Sequence, residues 1–380
     1  MNFNVSTDSI QRAIKVLGVV VRANAVDATG RILIEAKDNS VMFMANNGAT
    51  AMSFVANDVD INEPGVVAIA YSKIKSFVSS FKPWSEEEGS GAKYFRFVST
   101  ERVTTVEVDN LYSTGKSSTG ELKLANSNPA LIAKFPEFEK IDFTLNSTIF
   151  RTATNKVLYA INPQTDYNQA ALQGMNIQFE DDSIFFAGSD GVVLSEYQIK
   201  NVSERIEGNV ILQYDFVMGL RRLLADDIPL LWEINGNRVS VKFDEIVYTG
   251  RRIIGHEFPN YKPALEDYTD YINLSKEFLM GALYPFVDVL ESEDNFRLTF
   301  EIKDKMLYIF NSQARIEAEQ DITGGLNFSI DLNGKHMIQT IEAIKDDNIL
   351  VKFSNSQGFA IFDSSTFNDQ KALISSIKKR

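Results

Sequence analysis

The stretch Phe186–Tyr197 reads FAGSDGVVLSEY, a Ser-Asp-Gly turn set between two apolar runs. A turn of this kind can cradle a phosphate, hold a metal ion or close a hairpin. A phosphate loop needs several glycines leading into a helix, and here Gly191 stands alone between two strand-like runs. The deciding comparison is internal. KDNSVMFMANNGATAMSF (Lys37–Phe54) aligns with EDDSIFFAGSDGVVLSEY (Glu180–Tyr197), pairing Asp38 with Asp181, Ser40 with Ser183, Gly48 with Gly191 and Phe54 with Tyr197, each 143 positions apart. Asn47-Gly48 thus holds the place of Asp190-Gly191. Both residues of such a pair tolerate positive φ, which makes the turn a hairpin connection.

The same spacing persists downstream, where YSKIKSFVSSF from Tyr71 lines up with YDFVMGLRRLL from Tyr214. A weaker third copy runs through EIKDKMLYIFNSQARIEAEQ from Glu301 and LNGKHMIQTIEAI from Leu332. The unit starts also recur, as FNVSTDSIQRAI, FTLNSTIFRTAT and INLSKEFLMGAL. Each unit reads as a short strand, a helix capped by a Ser, Thr or Asn, several strands, a second helix and closing strands. Ile10, Ala13, Ile14 and Leu17 follow helical spacing, as do Ile74, Phe77, Val78 and Phe81. Val217, Leu220 and Leu224 make a similar stripe in the second unit, and Met337, Ile341 and Ile344 in the third. The expected fold class is therefore α+β, with three repeated domains of two helices packed on antiparallel sheet. The boundaries are placed at 1–138, 139–268 and 269–365, with 366–380 as a C-terminal tail.

Composition narrows the chemistry. The 380 residues are 44% hydrophobic and 23% charged, enough for large cores without covalent staples. Absence of Cys excludes disulfides, thiolate metal sites and cysteine nucleophiles. No apolar run reaches the length of a membrane span, and the start MNFNVSTDSIQ lacks a signal-peptide pattern, so a cytoplasmic protein without membrane partners is expected. The net charge of −13 disfavours nucleic acid at first sight, yet an acidic exterior is compatible with a basic interior surface. His256 and His336 are isolated from other metal-ligand spacings. The acidic clusters Glu180-Asp181-Asp182, Asp226-Asp227 and Asp346-Asp347 fall at expected turns, and neither a calcium-loop pattern nor a serine elbow is present. No catalytic residue, cofactor or metal is expected, and shape is the expected function.

The threefold plan, the phrase ALQGMNIQF followed by AGSDGVVLSEY, the phrase GHEFPNYKPAL and the segment EPGVVAIAYSKIKSFVSSF together resemble the bacterial DNA polymerase III β subunit family, the β sliding clamps. The resemblance implies a head-to-tail homodimeric ring around duplex DNA without sequence specificity, with DNA polymerase and a clamp loader as partners. It implies DNA-facing cations at Arg12, Lys15, Arg22, Lys73, Lys75 and Lys82 in the first unit. Arg151, Lys156, Arg221, Arg222 and Lys335 continue the set in the others. Any one of them is as readily a solvated surface group. The resemblance also implies a partner-peptide groove walled by Ser189, Gly191, Val192, Val193 and Leu194, with Leu172 opposite. Pro259 and Ala264 come from the FPNY phrase, and Ala360 and Phe362 from the strand taken as the last one. A non-catalytic scaffold ring that uses the fold without loading onto DNA is the alternative.

Departures from the family pattern point to a divergent or phage-encoded member. Val192-Val193 stands where the family has His-Arg, and FPNYKPA lacks the family's paired arginines. The stretch SKEFLMGALYPFVDVLESED is acidic for a helix beside DNA. Thr366–Arg380 is read as lying beyond the family's end, as an amphipathic helix carrying Leu373, Ile374 and Ile377. A second reading has Gln370-Lys371-Ala372-Leu373-Ile374 occupying a clamp groove.

Overall fold

A computed structural model describes the chain except residues 23–24, 135–136, 165–166, 201, 203–207, 267, 269, 287–296, 304–305, 312–314, 320–326, 354–357, 367–368 and 378–380. One element order recurs three times, with one added strand (Val59–Glu63) in the first copy. The first copy runs β1 (Asn2–Ser6), α1 (Thr7–Leu17), β2 (Arg31–Lys37), β3 (Ser40–Asn46), β4 (Ala51–Ala56), β5 (Val59–Glu63), β6 (Gly65–Ala70), α2 (Tyr71–Val78), β7 (Gly91–Ser99), β8 (Val103–Leu111) and β9 (Ser117–Ala125). The second runs β10 (Phe143–Asn146), α3 (Ser147–Val157), β11 (Gly174–Glu180), β12 (Ser183–Ser189), β13 (Val193–Ile199), β14 (Gly208–Gln213), α4 (Tyr214–Leu223), β15 (Pro229–Asn235), β16 (Arg238–Phe243) and β17 (Ile246–Ile253). A short α5 (Lys262–Glu266) precedes the third, which runs β18 (Asp270–Ser275), α6 (Lys276–Leu283), β19 (Arg297–Lys303), β20 (Met306–Phe310), β21 (Arg315–Glu319), β22 (Phe328–Asn333), α7 (Gly334–Ala343), β23 (Asn348–Phe353), β24 (Phe359–Ser364) and β25 (Gln370–Ser375).

Pairing follows the same rule in each copy, and every ladder is antiparallel. The strand order is β6-β2-β3-β4 with β5-β1-β7-β8-β9 in the first copy. It is β14-β11-β12-β13 with β10-β15-β16-β17 in the second, and β22-β19-β20-β21 with β18-β23-β24-β25 in the third. The closing strand of one copy then joins the fourth strand of the preceding one. β17 pairs with β4 through Ala51↔Thr249 and Ser53↔Val247, and β25 pairs with β13 through Leu194↔Leu373 and Glu196↔Lys371.

The chain packs as two compact units, Met1–Ser147 with Met218–Arg251, and Thr148–Val217 with Arg252–Arg380. In the first, the apolar stripe of α1 is buried through Ile10, Ala13, Ile14 and Leu17. Ser6 caps that helix by accepting the Ser9 N–H. The two helices of the copy are bolted together by polar contacts. Gln11 Nε2 donates to the Val78 and Phe81 carbonyls at the end of α2, and Tyr71 Oη donates to the Ile14 carbonyl at 2.9 Å. Those bonds add side-chain donors to the carbonyls at the two helix ends and tie α1 to α2. Phe143 stacks on the fully buried Trp232 at 5.2 Å between ring centres.

In the second unit, one core gathers Phe286, Phe300, Met337, Ile341, Val351 and Phe362 around α6 and α7. Ser275 and Asn333 cap these two helices through backbone N–H groups of Phe278, Lys335 and His336. The acidic continuation of α6 expected up to Asp294 falls outside the described residues from position 287.

One expectation is overturned. The segment read as an appended tail or terminal helix is strand β25, the closing strand of the third copy, held between β24 and β13. Gln370, Ala372 and Ile374 are buried on one side while Lys371, Leu373 and Ser375 alternate with them, a period of two that excludes a helix. The turn leading into β25 is pinned by Asp346. Its carboxylate accepts the Thr366 N–H and hydroxyl and the Ser364 hydroxyl. Burial pushes this carboxyl up, but the hydrogen bonds from Thr366 and Ser364 outweigh it and hold the pKa at about 2. A carboxylate depressed on folding contributes stability above its unfolded pKa and loses it as pH falls through the folded one. Asp346→Asn should therefore cost roughly 2 kcal/mol at pH 7. The gap between the two melting temperatures should close as pH approaches 2, and a gap independent of pH would refute the assignment.

Candidate interaction sites

The opening turn is a hairpin connection between β12 and β13. Asp190 Oδ1 accepts the Val192 and Val193 N–H groups, each at 2.8 Å, and Gly191 sits at φ 89°. Ser189 Oγ donates to the Val193 carbonyl and accepts the Gly191 N–H. The Asn47-Gly48 turn repeats this construction, with Asn47 Oδ1 accepting from Ala49 and Thr50 and Gly48 at φ 88°. Asp190 Oδ1, Asn47 Oδ1 and the Ser189 hydroxyl are thus engaged within their turns, and Asn47 Nδ2 donates to the Val20 carbonyl. Among the described residues no group of three or more metal-ligating side chains occurs.

Next to this hairpin lies an apolar cluster of Leu172, Leu194, Phe258, Tyr261, Phe359 and Ile361, with Ala264 and Leu373 packed at its margin. Leu172 lies against the turn, since a Cβ added at Gly191 would stand 3.8 Å from its Cδ1. Leu194 and Ala264 join the same cluster. Val192 is exposed, as are Gly191 and Pro259 at the margin, while Ser189 is buried in the turn.

Three expected wall residues are placed elsewhere. Val193, Ala360 and Phe362 are buried in the α6–α7 core together with Ile374, Val193 facing the opposite side of β13 from Leu194. Successive residues of β24 face opposite sides, and Phe359 and Ile361 are the ones that reach the groove cluster. Leu373 of β25, read from the sequence as part of a terminal helix or of a segment occupying a groove, packs at the margin of this wall. The alternation of Ala372, Leu373 and Ile374 was the signal that could have found it.

Charge is concentrated at one end of this cluster. Lys262 pairs with Glu180 and lies 3.6 Å from the centre of the Phe185 ring. Glu196, on β13 behind Tyr261, is 7% exposed, and burial pushes its carboxyl up. Tyr261 is pushed up as well, by burial and by the Glu196 charge. This end of the groove thus sets two carboxyl groups, Glu180 and Glu196, beside two lysines, Lys262 and Lys371. At the other side of the turn His336 Nε2 lies 3.4 Å from Asp190 Oδ2, with burial holding the imidazole below its ordinary pKa.

The expected DNA-facing cations divide. Lys15, Arg22, Lys73, Lys75, Lys82, Arg221, Arg222 and Lys335 are exposed. Lys15, Lys73, Lys75, Arg221 and Arg222 lie on the two helices of the first copy and on α4, and Lys335 opens α7. Arg12 is half-exposed and engaged with Asp244 at 2.9 Å and Glu245 at 2.8 Å, which lowers what it offers to a phosphate. Arg151 is half-buried. Lys156 is not on a free face at all. It is 4% exposed, paired with Asp369 at 2.8 Å and set 4.3 Å from the Tyr197 ring centre. Position 156 falls one step inside the solvent-facing edge of α3, so its side chain runs into the core toward the segment before β25.

No protein-family model matches the chain. It is 21% identical over 374 residues to the beta sliding clamp of Mycoplasma capricolum, covering 94% of this chain and 93% of that protein. Among solved structures, the DNA polymerase III subunit beta of Pseudomonas aeruginosa superposes with a TM-score of 0.85 at 16% identity, over 100% of both chains. A putative DNA polymerase III beta subunit from Eubacterium rectale gives 0.84 at 16%, and the beta subunit of Thermotoga maritima 0.79 at 15%, again over 100% of both chains. From end to end, the chain has the three-domain fold of the β sliding clamps.

Proposed function

We propose that the chain is a non-catalytic DNA sliding clamp. In this reading two copies close head to tail into a ring that holds duplex DNA topologically and tethers a DNA polymerase and other partners. The observation that supports closure is an unfilled rule of pairing. The closing strand of copy two joins β4, and that of copy three joins β13. Among the described residues the corresponding strands β9 and β21 pair only with β8 and β20, so each has an open edge. An open edge is a template for another strand. The closing strand β9 of one copy of the chain is the counterpart of β17 and β25, and β21 of another is the counterpart of β4 and β13. Six repeats with every such edge filled make a closed ring of two chains.

Exposed lysines and arginines on the repeat helices suit a partner that must slide. Attraction to phosphates positions the duplex without reading its bases. The names of the similar proteins from Mycoplasma and Pseudomonas support the same function.

The test is mass followed by retention. A particle of twice 42.7 kDa is expected in solution. After loading onto nicked circular DNA the protein should stay bound, and cutting the circle should release it. Retention that survives linearisation would refute a topological hold, and a dimer never retained on circles would favour the scaffold reading. Binding to short linear duplex should be weak and fall steeply with salt.

The apolar cluster beside the Asp190 turn is the proposed partner-peptide groove. Leu373→Arg, at a half-exposed site on its margin, is expected to weaken polymerase-peptide binding tenfold or more while the dimer mass persists. Unchanged affinity in a folded dimer would place the groove elsewhere.

A further inference from the structure

We propose that the first unit carries a second peptide-docking pocket, built by the same strands one repeat earlier, for a short segment with an aliphatic anchor and one acidic residue. The proposal rests on the groove reading above. A cavity of about 340 Å³ opens on β3, β4 and β17, floored by Met42, Met44 and Val55, which share one face of the sheet, and rimmed by Phe138, Lys242 and Val247. Its position follows from the repeat. Met44 and Ala51 stand 143 positions before Ala187 and Leu194 of the groove cluster. Thr249 opposes Ala51 as Leu373 opposes Leu194. Phe138 ends FPEF as Tyr261 ends FPNY. The pocket is thus the structural counterpart of the groove.

What fills the counterpart differs, and the difference leaves room. In the groove, Ile361 opposes Leu373, and both are bulky side chains. Here the pair in the same register is Ser240 and Thr249, both smaller, beside the flexible Met42 and Met44. Methionine is unbranched and polarisable, which suits a floor that adapts to different apolar anchors. The volume lies at the low end of ligand pockets, ~300–1,000 Å³, enough for an anchor side chain or two and too small for a folded partner.

Charge selects the rest of the occupant. Lys242 is exposed at the rim, 5.9 Å from the Phe138 ring centre, and has no carboxylate partner among the described residues. Glu137 is also exposed on the lining and disfavours a second acid there. A segment that sets Leu or Phe on the methionines and a single carboxylate on Lys242 satisfies both. That pattern is the chemistry of a linear peptide.

The test uses the full-length chain labelled with ¹³C at the methionine methyls, titrated with the acetylated peptide Gln-Leu-Asp-Leu-Phe. Saturable shifts of the Met42 and Met44 methyl signals are expected, with Met52, on the opposite face of the sheet, as the unshifted reference. They should persist in Leu373→Arg, which disables the groove, and require roughly three- to tenfold more peptide in Lys242→Glu. Val247→Arg, which blocks the wall, should abolish them; if it does not fold, the exposed Lys242→Glu carries the test alone. Static methionine signals while the peptide still binds would overturn the second pocket and leave the groove standing. Shifts that vanish in Leu373→Arg would also overturn it, because they would belong to the groove. No binding anywhere would overturn both docking sites, while retention on circular DNA would still report the clamp function separately.

Discussion

A chain truncated after Ser365 is expected to lose the folded state of the second unit. The cut removes β25, which lies between β24 and β13 and buries Ala372 and Ile374 completely. Two strand edges lose their partner at once. The α6–α7 core loses Ile374, and the groove cluster loses Leu373. Buried aliphatic side chains are worth ~1.5–3 kcal/mol each, and net backbone hydrogen bonds ~0.5–1.5 kcal/mol each. The summed loss, on the order of 10 kcal/mol, is comparable to the whole stability of a domain. Circular dichroism should show lost strand signal, and protease should cut the second unit while sparing Met1–Ser147. A truncated chain that melts like the full one would show that β25 is dispensable. Tighter peptide binding in a folded truncated chain would restore the view of this segment as a removable tail.

Asp363→Ala should cost about 3–5 kcal/mol, the range for stripping one partner from a buried ion pair. Asp363 is 1% exposed and accepts from Lys352 Nζ at 2.6 Å, and Lys352 is itself 8% exposed and lies 4.4 Å from the Tyr268 ring centre. Removing the carboxylate leaves an ammonium group between β23 and β24 with no compensating charge. Replacing both by apolar residues, Lys352→Met with Asp363→Leu, should recover most of the loss, because the desolvation of two charges disappears with them. Urea melts of the single and double variants measure this directly. A double variant as unstable as the single one would mean that packing around Asp363, and not the stranded charge, sets the cost.

The repeat was legible because turns and caps are local chemistry. Asn47-Gly48 and Asp190-Gly191 each announce a hairpin, and the helix stripe at Ile10, Ala13, Ile14 and Leu17 announces a buried face. The errors arose where two environments cover one strand. Every residue of β24 is buried, so no polar alternation marked which side faced the groove, and Ala360 and Phe362 were assigned to the wrong one. β25 and the residues just after it carry Leu373, Ile374 and Ile377 at a spacing that also fits a helix, and the β13 edge that decides the matter is far away in sequence. Lys156 was misplaced for a related reason. Nothing local signals that an aspartate more than 200 residues away, Asp369, waits to bury it.

That distance has a consequence for biosynthesis. Val193 pairs with Ile374, 181 residues later. At ~5–20 residues per second a ribosome needs about ten to forty seconds to make the intervening chain. Through that interval the nascent β13 has an unsatisfied margin, and strand margins recruit neighbours. Glu196, midway along β13, is then solvated and ionised, a gatekeeper charge on a strand that would otherwise be sticky. When β25 arrives, Lys371 comes opposite Glu196 and the guard is drawn into the interior. The carboxylate that burial disfavours in the finished fold protects the unfinished one from its neighbours on the polysome.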